Sequence, residues 1–460
     1  MVKIPAFEVE QWMDTYENTP GVLNIAETCA SSISVSQLGE FYSDGGDGLA
    51  PPIVDFTRPM TYGAIRGSDG LRRNIAALYS DERGADDADG LSSADVIVTQ
   101  GAIAANHLVF YTLVGPGDHV VCIFPTYQQL YTIPETLGAE VSLWKLKAED
   151  QYVPDVAELE KLIKSNTKMI VINNPNNPTG ATTAKAVLAR IIEVARKHDI
   201  IVFSDEVSVL EPHNPHLTCL GRISGAQSRL SCSFLLLWAP GTLSFPPLFC
   251  HKWQSLTRDS KKVYRPLFHG PAEPEIPPSA LSLGYEKVLV TSSMSKAWAL
   301  AGIRVGWVAS RDKGTIEQLA VARDYTTISV SQLDDQVARF ALSAAVRPAL
   351  LKRNIALAST NLALLEKFVQ KHADICSWVK PTAGTTALVR FSRKDGQPVD
   401  DEAFCRDVLD KTKVFFLPAG RCFGHGNAFR GYVRIGYVSE TPVLRKALDN
   451  LSIYVVENLN

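Results

Sequence analysis

From Asp95 onward, short β-branched runs alternate with stretches of helical period. Val96-Ile97-Val98, His119-Val120-Val121-Cys122-Ile123, Met169-Ile170-Val171-Ile172, Ile200-Ile201-Val202-Phe203 and Val288-Leu289-Val290 are apolar at nearly every position, the pattern of strands buried on both faces. Between them, Ala102 to Leu113 and Ala184 to His198 repeat their apolar residues every three or four positions. The alternation predicts an α/β fold built on a mostly parallel sheet with helices on both faces. After about Ile316 the pattern turns more helical, with a long Ala/Leu-rich stretch from Ala349 to Gln370 and weaker strands near Ala387–Phe391 and Tyr432–Ile435. We therefore expect a large domain over 50–315 and a smaller α+β domain over 316–460, with segment 1–49 packing against the latter.

One stretch keeps neither period. From Ser208 to Val263 the chain is a mixture of Ser, Leu, Phe, Cys and Pro, with six Lys/Arg against two Asp/Glu in an otherwise acidic protein. A structureless loop of 56 residues inside a compact domain runs against the usual short connections between elements.

Composition acts mainly by exclusion. A chain of 460 residues, 46% hydrophobic and with net charge −3, is ordinary globular protein, with no basic excess to suggest a nucleic-acid partner. The apolar run beginning at Ser233 is broken by Pro240, Pro246 and Pro247 and is too short to span a membrane. Met1-Val2-Lys3-Ile4-Pro5 turns polar within ten residues, which argues against a targeting peptide. Eight scattered cysteines without paired metal-ligand spacing fit a reducing cytoplasm.

The chemistry concentrates at strand ends. Gly101-Ala102-Ile103 opens a helix just after a strand, where free amides and the helix dipole favour an anion such as phosphate. Phe124-Pro125-Thr126-Tyr127 closes the next strand with a ring able to stack on a flat ligand. Asn173-Asn174-Pro175-Asn176-Asn177-Pro178-Thr179-Gly180 follows a third, and Phe203-Ser204-Asp205-Glu206 ends a fourth. Val290-Thr291-Ser292-Ser293-Met294-Ser295-Lys296 then leads into Gly302-Ile303-Arg304-Val305-Gly306, placing a lysine eight residues before an arginine. A lysine amine is a nucleophile once its site lowers its pKa, and arginine bonds phosphate through two nitrogens.

In this order, these motifs resemble the class I/II aminotransferases, fold-type I enzymes dependent on pyridoxal phosphate. The resemblance runs from about Asn24 to the C-terminus. It implies that Lys296 forms the Schiff base with the cofactor and that Asp205 pairs with its ring nitrogen. Asn177 would hold the ring hydroxyl and Tyr127 would stack on the ring. Gly101, Ala102, Ile103, Ser293 and Arg304 would bind the phosphate. Arg434, in Tyr432-Val433-Arg434-Ile435-Gly436, matches the arginine that grips a substrate α-carboxylate. Tyr62 matches a tyrosine that reaches a neighbouring subunit's phosphate, which implies a homodimer.

The family also places a tyrosine three residues beyond the aspartate, where this chain has Ser208. Tyr264-Arg265-Pro266-Leu267 reads as the missing continuation, and removing residues 208–263 leaves 404 of the 460 residues. The segment reads as a translated intron. Valine codons begin with the donor GT, and Lys262 can end in the acceptor AG. Tyr264 is therefore taken as a catalytic and cofactor-binding residue. The alternatives are a lid insertion and a catalytically dead isoform.

The resemblance does not choose the reaction. Transamination is the leading expectation. A lyase or cyclase acting on a hydroxylated, arginine-like amino acid is the alternative, because Arg323-Asp324-Tyr325-Thr326-Thr327-Ile328-Ser329 resembles a capreomycidine synthase-like subgroup. Glu27 lies where the family closes over its substrate and is a candidate contact for a cationic side chain.

Overall fold

A computed structural model describes residues 4–43, 50–80, 90–207, 277–424 and 428–459. The interruption at 208–263 and Tyr264 lie outside the described residues.

The first strand is a short one, β1 (Leu23–Asn24). Seven longer strands make the large sheet: β2 (Val96–Thr99), β3 (His119–Phe124), β4 (Glu140–Lys145), β5 (Thr167–Asn173), β6 (Ile201–Asp205), β7 (Val288–Ser293) and β8 (Gly306–Ser310). Their order is β2-β8-β7-β6-β5-β3-β4. Strands β3 to β7 run parallel, whereas β8 opposes both its neighbours. The apolar runs of the sequence correspond to β2, β3, β5, β6 and β7. The edge strand β4 was not legible because Trp144 is its only fully buried residue, so it lacks the apolar run. Strand β8 begins at Gly306, the last residue of the lysine–arginine motif, and is buried along its whole length.

Both faces of this sheet are covered. Helices α1 (Glu8–Tyr16), α2 (Gly101–Leu113), α3 (Lys185–Lys197), α4 (Lys313–Asp324), α5 (Arg347–Lys371) and α6 (Thr441–Asn458) are the ones that matter below. On β3, Val120 and Cys122 enter a core shared with Leu108 and Val109 of α2 and Leu319 of α4. Val121 and Ile123 point the other way, into a core that holds Leu188, Ile191 and Ile192 of α3. The strand period of two thus divides one apolar run between two helical layers.

A smaller sheet follows, made from β9 (Cys376–Trp378), β10 (Thr386–Phe391), β12 (Leu417–Pro418) and β13 (Tyr432–Gly436), in the antiparallel order β12-β13-β10-β9. The intervening β11 (Val414–Phe415) pairs parallel with β1 instead. Helices α5 and α6 pack together beside this sheet. The N-terminal segment is fastened here too: Trp12 Nε1 donates to the Phe416 carbonyl at 3.3 Å, and Arg421 pairs with Glu8 at 2.7 Å.

Candidate active site

In parallel sheets, ligand sites form beyond the carboxyl ends of the strands, where successive loops diverge. Here β5, β6 and β7 end on Asn173, Asp205 and Ser293. A cavity of about 490 Å³ lies over these ends. Its walls bring together ten residues singled out from the sequence: Glu27, Ala102, Ile103, Tyr127, Asn177, Asp205, Ser293, Lys296, Arg304 and Arg434.

Lys296 stands just past β7. Its Nζ donates to Thr28 Oγ1 at 2.5 Å and to Cys29 Sγ at 3.4 Å, and lies 3.8 Å from Glu27 Oε1. Burial pulls the ammonium pKa down, but Cys29 and Glu27 outweigh it, so the pKa stands above the ordinary lysine value. The chain's own neighbours therefore favour the charged amine. Burial pushes the Glu27 carboxyl up, but Lys296 and bonds from Cys29 and Thr28 prevail and bring it to about 2. Both of those backbone amides donate to Oε1, at 2.6 and 2.9 Å.

Asp205 is 4% exposed. Its backbone carbonyl accepts from Asn174 N and from Asn173 Nδ2, which fixes the end of β6 against β5. Oδ2 faces Asn106 Nδ2 at 3.5 Å, and Asn106 is itself set by the Thr291 hydroxyl at 2.7 Å and by Gln129. Oδ1 is buried with no hydrogen-bond partner among the described residues. Burial drives this carboxyl up to about 7, against the opposing bonds from Asn106 and the Val207 amide.

Arg434 projects from β13 into the same cavity and is 3% exposed. Its Nη2 donates to the Ala26 carbonyl at 2.8 Å and its Nη1 to Asn177 Oδ1 at 3.3 Å. The guanidinium lies 5.2 Å from the Phe423 ring centre, and its buried Nε has no partner among the described residues. Asn177 is held from behind, its amide donating to Asn173 Oδ1 at 2.7 Å.

At the start of α2, Arg304 approaches Gly101 so closely that a Cβ there would stand 2.6 Å from Nη2. Gly101 has φ +79°, a conformation that favours glycine. A Cβ on Gly306 would in turn meet the Gly101 carbonyl carbon at 2.4 Å. Arg304 donates to the Ala301 carbonyl at 2.9 Å and lies 3.5 Å from Ser295 Oγ. Ser293 is fully buried and its hydroxyl accepts from the Ser295 amide. Tyr127 donates to Glu10 Oε1 at 3.2 Å, its ring beside Phe7. Tyr62 stands apart from the cavity and is 83% exposed.

Several lining residues were not singled out from the sequence. Ser295 was within reach, being one position before the lysine. Thr28 and Cys29 could be placed on the segment that closes the site, but nothing in their spacing pointed at Lys296. Asn106 lies inside a helical repeat that reads as packing. Val9, Glu10 and Met13 of α1 carried no signal, since their contact with the site exists only in three dimensions.

The model of the family "Aminotransferase class I and II" matches residues 49–207 and 264–451. The chain belongs to this family. Among its relatives, capreomycidine synthase of Streptomyces vinaceus is 25% identical over 358 residues, covering 78% of this chain and 73% of the relative. An aspartate aminotransferase of Pyrococcus horikoshii is 24% identical over 381 residues, covering 83% and 79%. A PLP-dependent aminotransferase from Streptococcus suis superposes with a TM-score of 0.76 at 30% identity, over 100% of this chain and 99% of that one. As a class I and II aminotransferase, the chain is an enzyme that acts on amino acids with pyridoxal phosphate.

Two features of the cavity fit that group. Asp205 Oδ1 is a buried acceptor without a partner among the described residues, which suits a protonated ring nitrogen. The glycine-lined approach of Arg304 to the start of α2 suits a phosphate, which gains from the guanidinium and from free helix amides together. Among the described residues no helix is long and apolar enough to cross a membrane.

Proposed function

We propose that this enzyme transfers an amino group between an α-amino acid and an oxo acid, with Lys296 as its catalytic residue. One observation carries the reading: Lys296 Nζ, the unpartnered Asp205 Oδ1 and the Arg434 guanidinium share one cavity. Lys296 would hold the cofactor covalently, and Asp205 would face its ring nitrogen. Asn177 would meet the ring oxygen, Tyr127 would stack on the ring, and Gly101, Ala102, Ile103, Ser293 and Arg304 would take the phosphate. The bound cofactor supplies an electron sink for the pair left when a bond at Cα breaks.

The rest is the chain's own work. Arg434 grips the α-carboxylate through its planar fork, steadied by Asn177 and the Ala26 carbonyl. That grip would set the Cα–H bond toward Lys296, which must first shed the proton that Cys29 and Glu27 favour before it can act as the base. Thr28 Oγ1 accepts from Nζ and so helps to orient it. Val9 and Met13 cover part of the mouth with apolar surface and reduce water access.

The test uses the full chain loaded with cofactor. Borohydride reduction followed by peptide mapping is expected to label Lys296, and amino transfer is expected to require an oxo-acid acceptor. Label on another lysine would overturn the assignment. Turnover without any acceptor would replace transfer by elimination or cyclisation. That second reading, a lyase or cyclase on an arginine-like substrate, draws support from the capreomycidine synthase relative.

The homodimer belongs to the same proposal. Phe56, Tyr62 and Tyr325 are all more than 80% exposed. The buried Arg323 bonds the carbonyls of Ile65 and Ile328, and so ties the segment that carries Tyr62 to the one that carries Tyr325. A second copy of the chain would cover these aromatics. The domain division at 49 and 315 and the reading of 208–263 as an interruption remain part of the proposal; the family match supports the latter by pausing at Val207 and resuming at Tyr264. A reducing cytoplasm is supported by the five described cysteines, which are buried and unpaired.

A further inference from the structure

Helix α1 precedes the stretch that the family model matches, which begins at residue 49, yet it reaches the site through Tyr127. The Tyr127 hydroxyl donates to Glu10 Oε1 at 3.2 Å, and the Phe7 ring tilts against its own with centroids 4.9 Å apart. The next side chain binds the same helix. Gln128, which is buried, donates from Nε2 to the Ala6 carbonyl at 2.8 Å and accepts the Glu8 amide on Oε1 at 2.9 Å. Two consecutive residues after β3 thus hold the first turn of α1.

Another side of α1 is tied to the segment that follows β11. Trp12 donates to the Phe416 carbonyl, and its ring lies 5.4 Å from the Arg421 guanidinium, which also pairs with Glu8. That segment runs on to Phe423, whose ring stands beside Arg434. The place of Glu10 on α1 is therefore fixed from two directions, and its carboxylate is held against the phenol. This hydrogen bond has a chemical effect as well as a mechanical one. Burial, and then Glu10, hold the Tyr127 phenol above its ordinary pKa, so the proton stays on the oxygen and is donated. A phenol that donates to a carboxylate carries more electron density in its ring, and a richer face attracts a cationic ring more strongly.

We propose that Glu10 is a positioning residue for Tyr127: it fixes the tilt of the stacking ring and enriches its face, so that helix α1 takes part in holding the cofactor. The inference rests on the stacking role given to Tyr127 above.

The test is a double-mutant cycle on the full chain titrated with pyridoxal phosphate, read by equilibrium dialysis and by visible circular dichroism of the bound cofactor. Tyr127→Phe keeps the ring and removes the donor, Glu10→Ala removes the acceptor, and Glu10→Gln keeps an acceptor oxygen without the charge. Each of the first two is expected to weaken cofactor binding about fivefold, or about 1 kcal/mol, and to change the dichroic band alike. Together they should weaken it no further than either alone, and Glu10→Gln should recover part of the loss. A helix merely loosened by losing Glu10 would instead add its effect to that of Tyr127→Phe. Additive losses, or a Glu10→Ala protein with the affinity and dichroism of the wild type, would overturn the proposal. Tyr127→Leu tests the stacking role itself. Unchanged affinity there would mean that no ring stacks and would sink both readings, whereas weakened binding there with none in Tyr127→Phe and Glu10→Ala would sink the role of Glu10 alone.

Discussion

Replacing Asp205 by asparagine should affect stability and function in opposite directions. The carboxyl is buried, lacks a partner on Oδ1 among the described residues and is driven from its ordinary 3.8 up to about 7, chiefly by desolvation. At about 1.4 kcal/mol for each tenfold change in proton affinity, that is at most about 4 kcal/mol of penalty for keeping the group ionised in the fold. Because the folded value is raised, the folded chain holds its proton more tightly than the unfolded one. Stability therefore falls as pH rises from about 4 to about 7, and is flat above. An asparagine does not titrate. Freed of cofactor, Asp205→Asn should match the wild type near pH 4 and gain on it through that window, to a plateau above pH 7. With cofactor the order should reverse, since the ring nitrogen's cation has lost its counter-charge. Urea unfolding of both proteins at pH 5 and pH 8, with and without pyridoxal phosphate, measures all four values. A gap between the cofactor-free proteins that is the same at both pH values would refute the reasoning. So would an asparagine variant that is the less stable of the two at pH 8. Glu206, also raised to about 7 by burial, titrates in both proteins and largely cancels in the difference.

Two further outcomes can be checked. Arg434→Lys replaces a planar fork that already touches Asn177 and Ala26 with a point charge, and should weaken amino-acid binding by about 10- to 100-fold, most of it in KM. Gly101→Ala puts a Cβ 2.6 Å from Arg304 at a φ of +79°. It should weaken cofactor binding, read by equilibrium dialysis, and cost more than about 1 kcal/mol in stability.

How much was legible depended on where the signal resided. Strands buried on both faces wrote themselves as apolar runs, and Lys296, Asp205, Asn177 and Arg304 sit at fixed offsets from those runs. The structure gathers all four in one cavity. Arg434 was reachable because its neighbours form a recognisable string, although its partners Ala26 and Asn177 lie 408 and 257 positions away. What could not be read were contacts of that range without a string of their own. Thr28 touches Lys296 across 268 positions, and Glu10 touches Tyr127 across 117. The raised pKa of the lysine was out of reach for the same reason: burial is foreseeable from a strand end, but a carboxylate 3.8 Å away is not.

The parallel pairing of β1 with β11, Leu23 against Val414, has a consequence during synthesis. About 390 residues separate the two partners, and at 5–20 residues per second the ribosome needs roughly 20–80 s to cross that distance. For that interval the segment carrying Glu27, Thr28 and Cys29 has no edge to join. The large sheet can assemble as its strands emerge, but the wall that faces Lys296 must wait for the last tenth of the chain. A nascent protein would thus acquire its cofactor floor well before its substrate wall, and a ribosome stalled before Arg434 would release a chain that could hold the one without being able to choose the other.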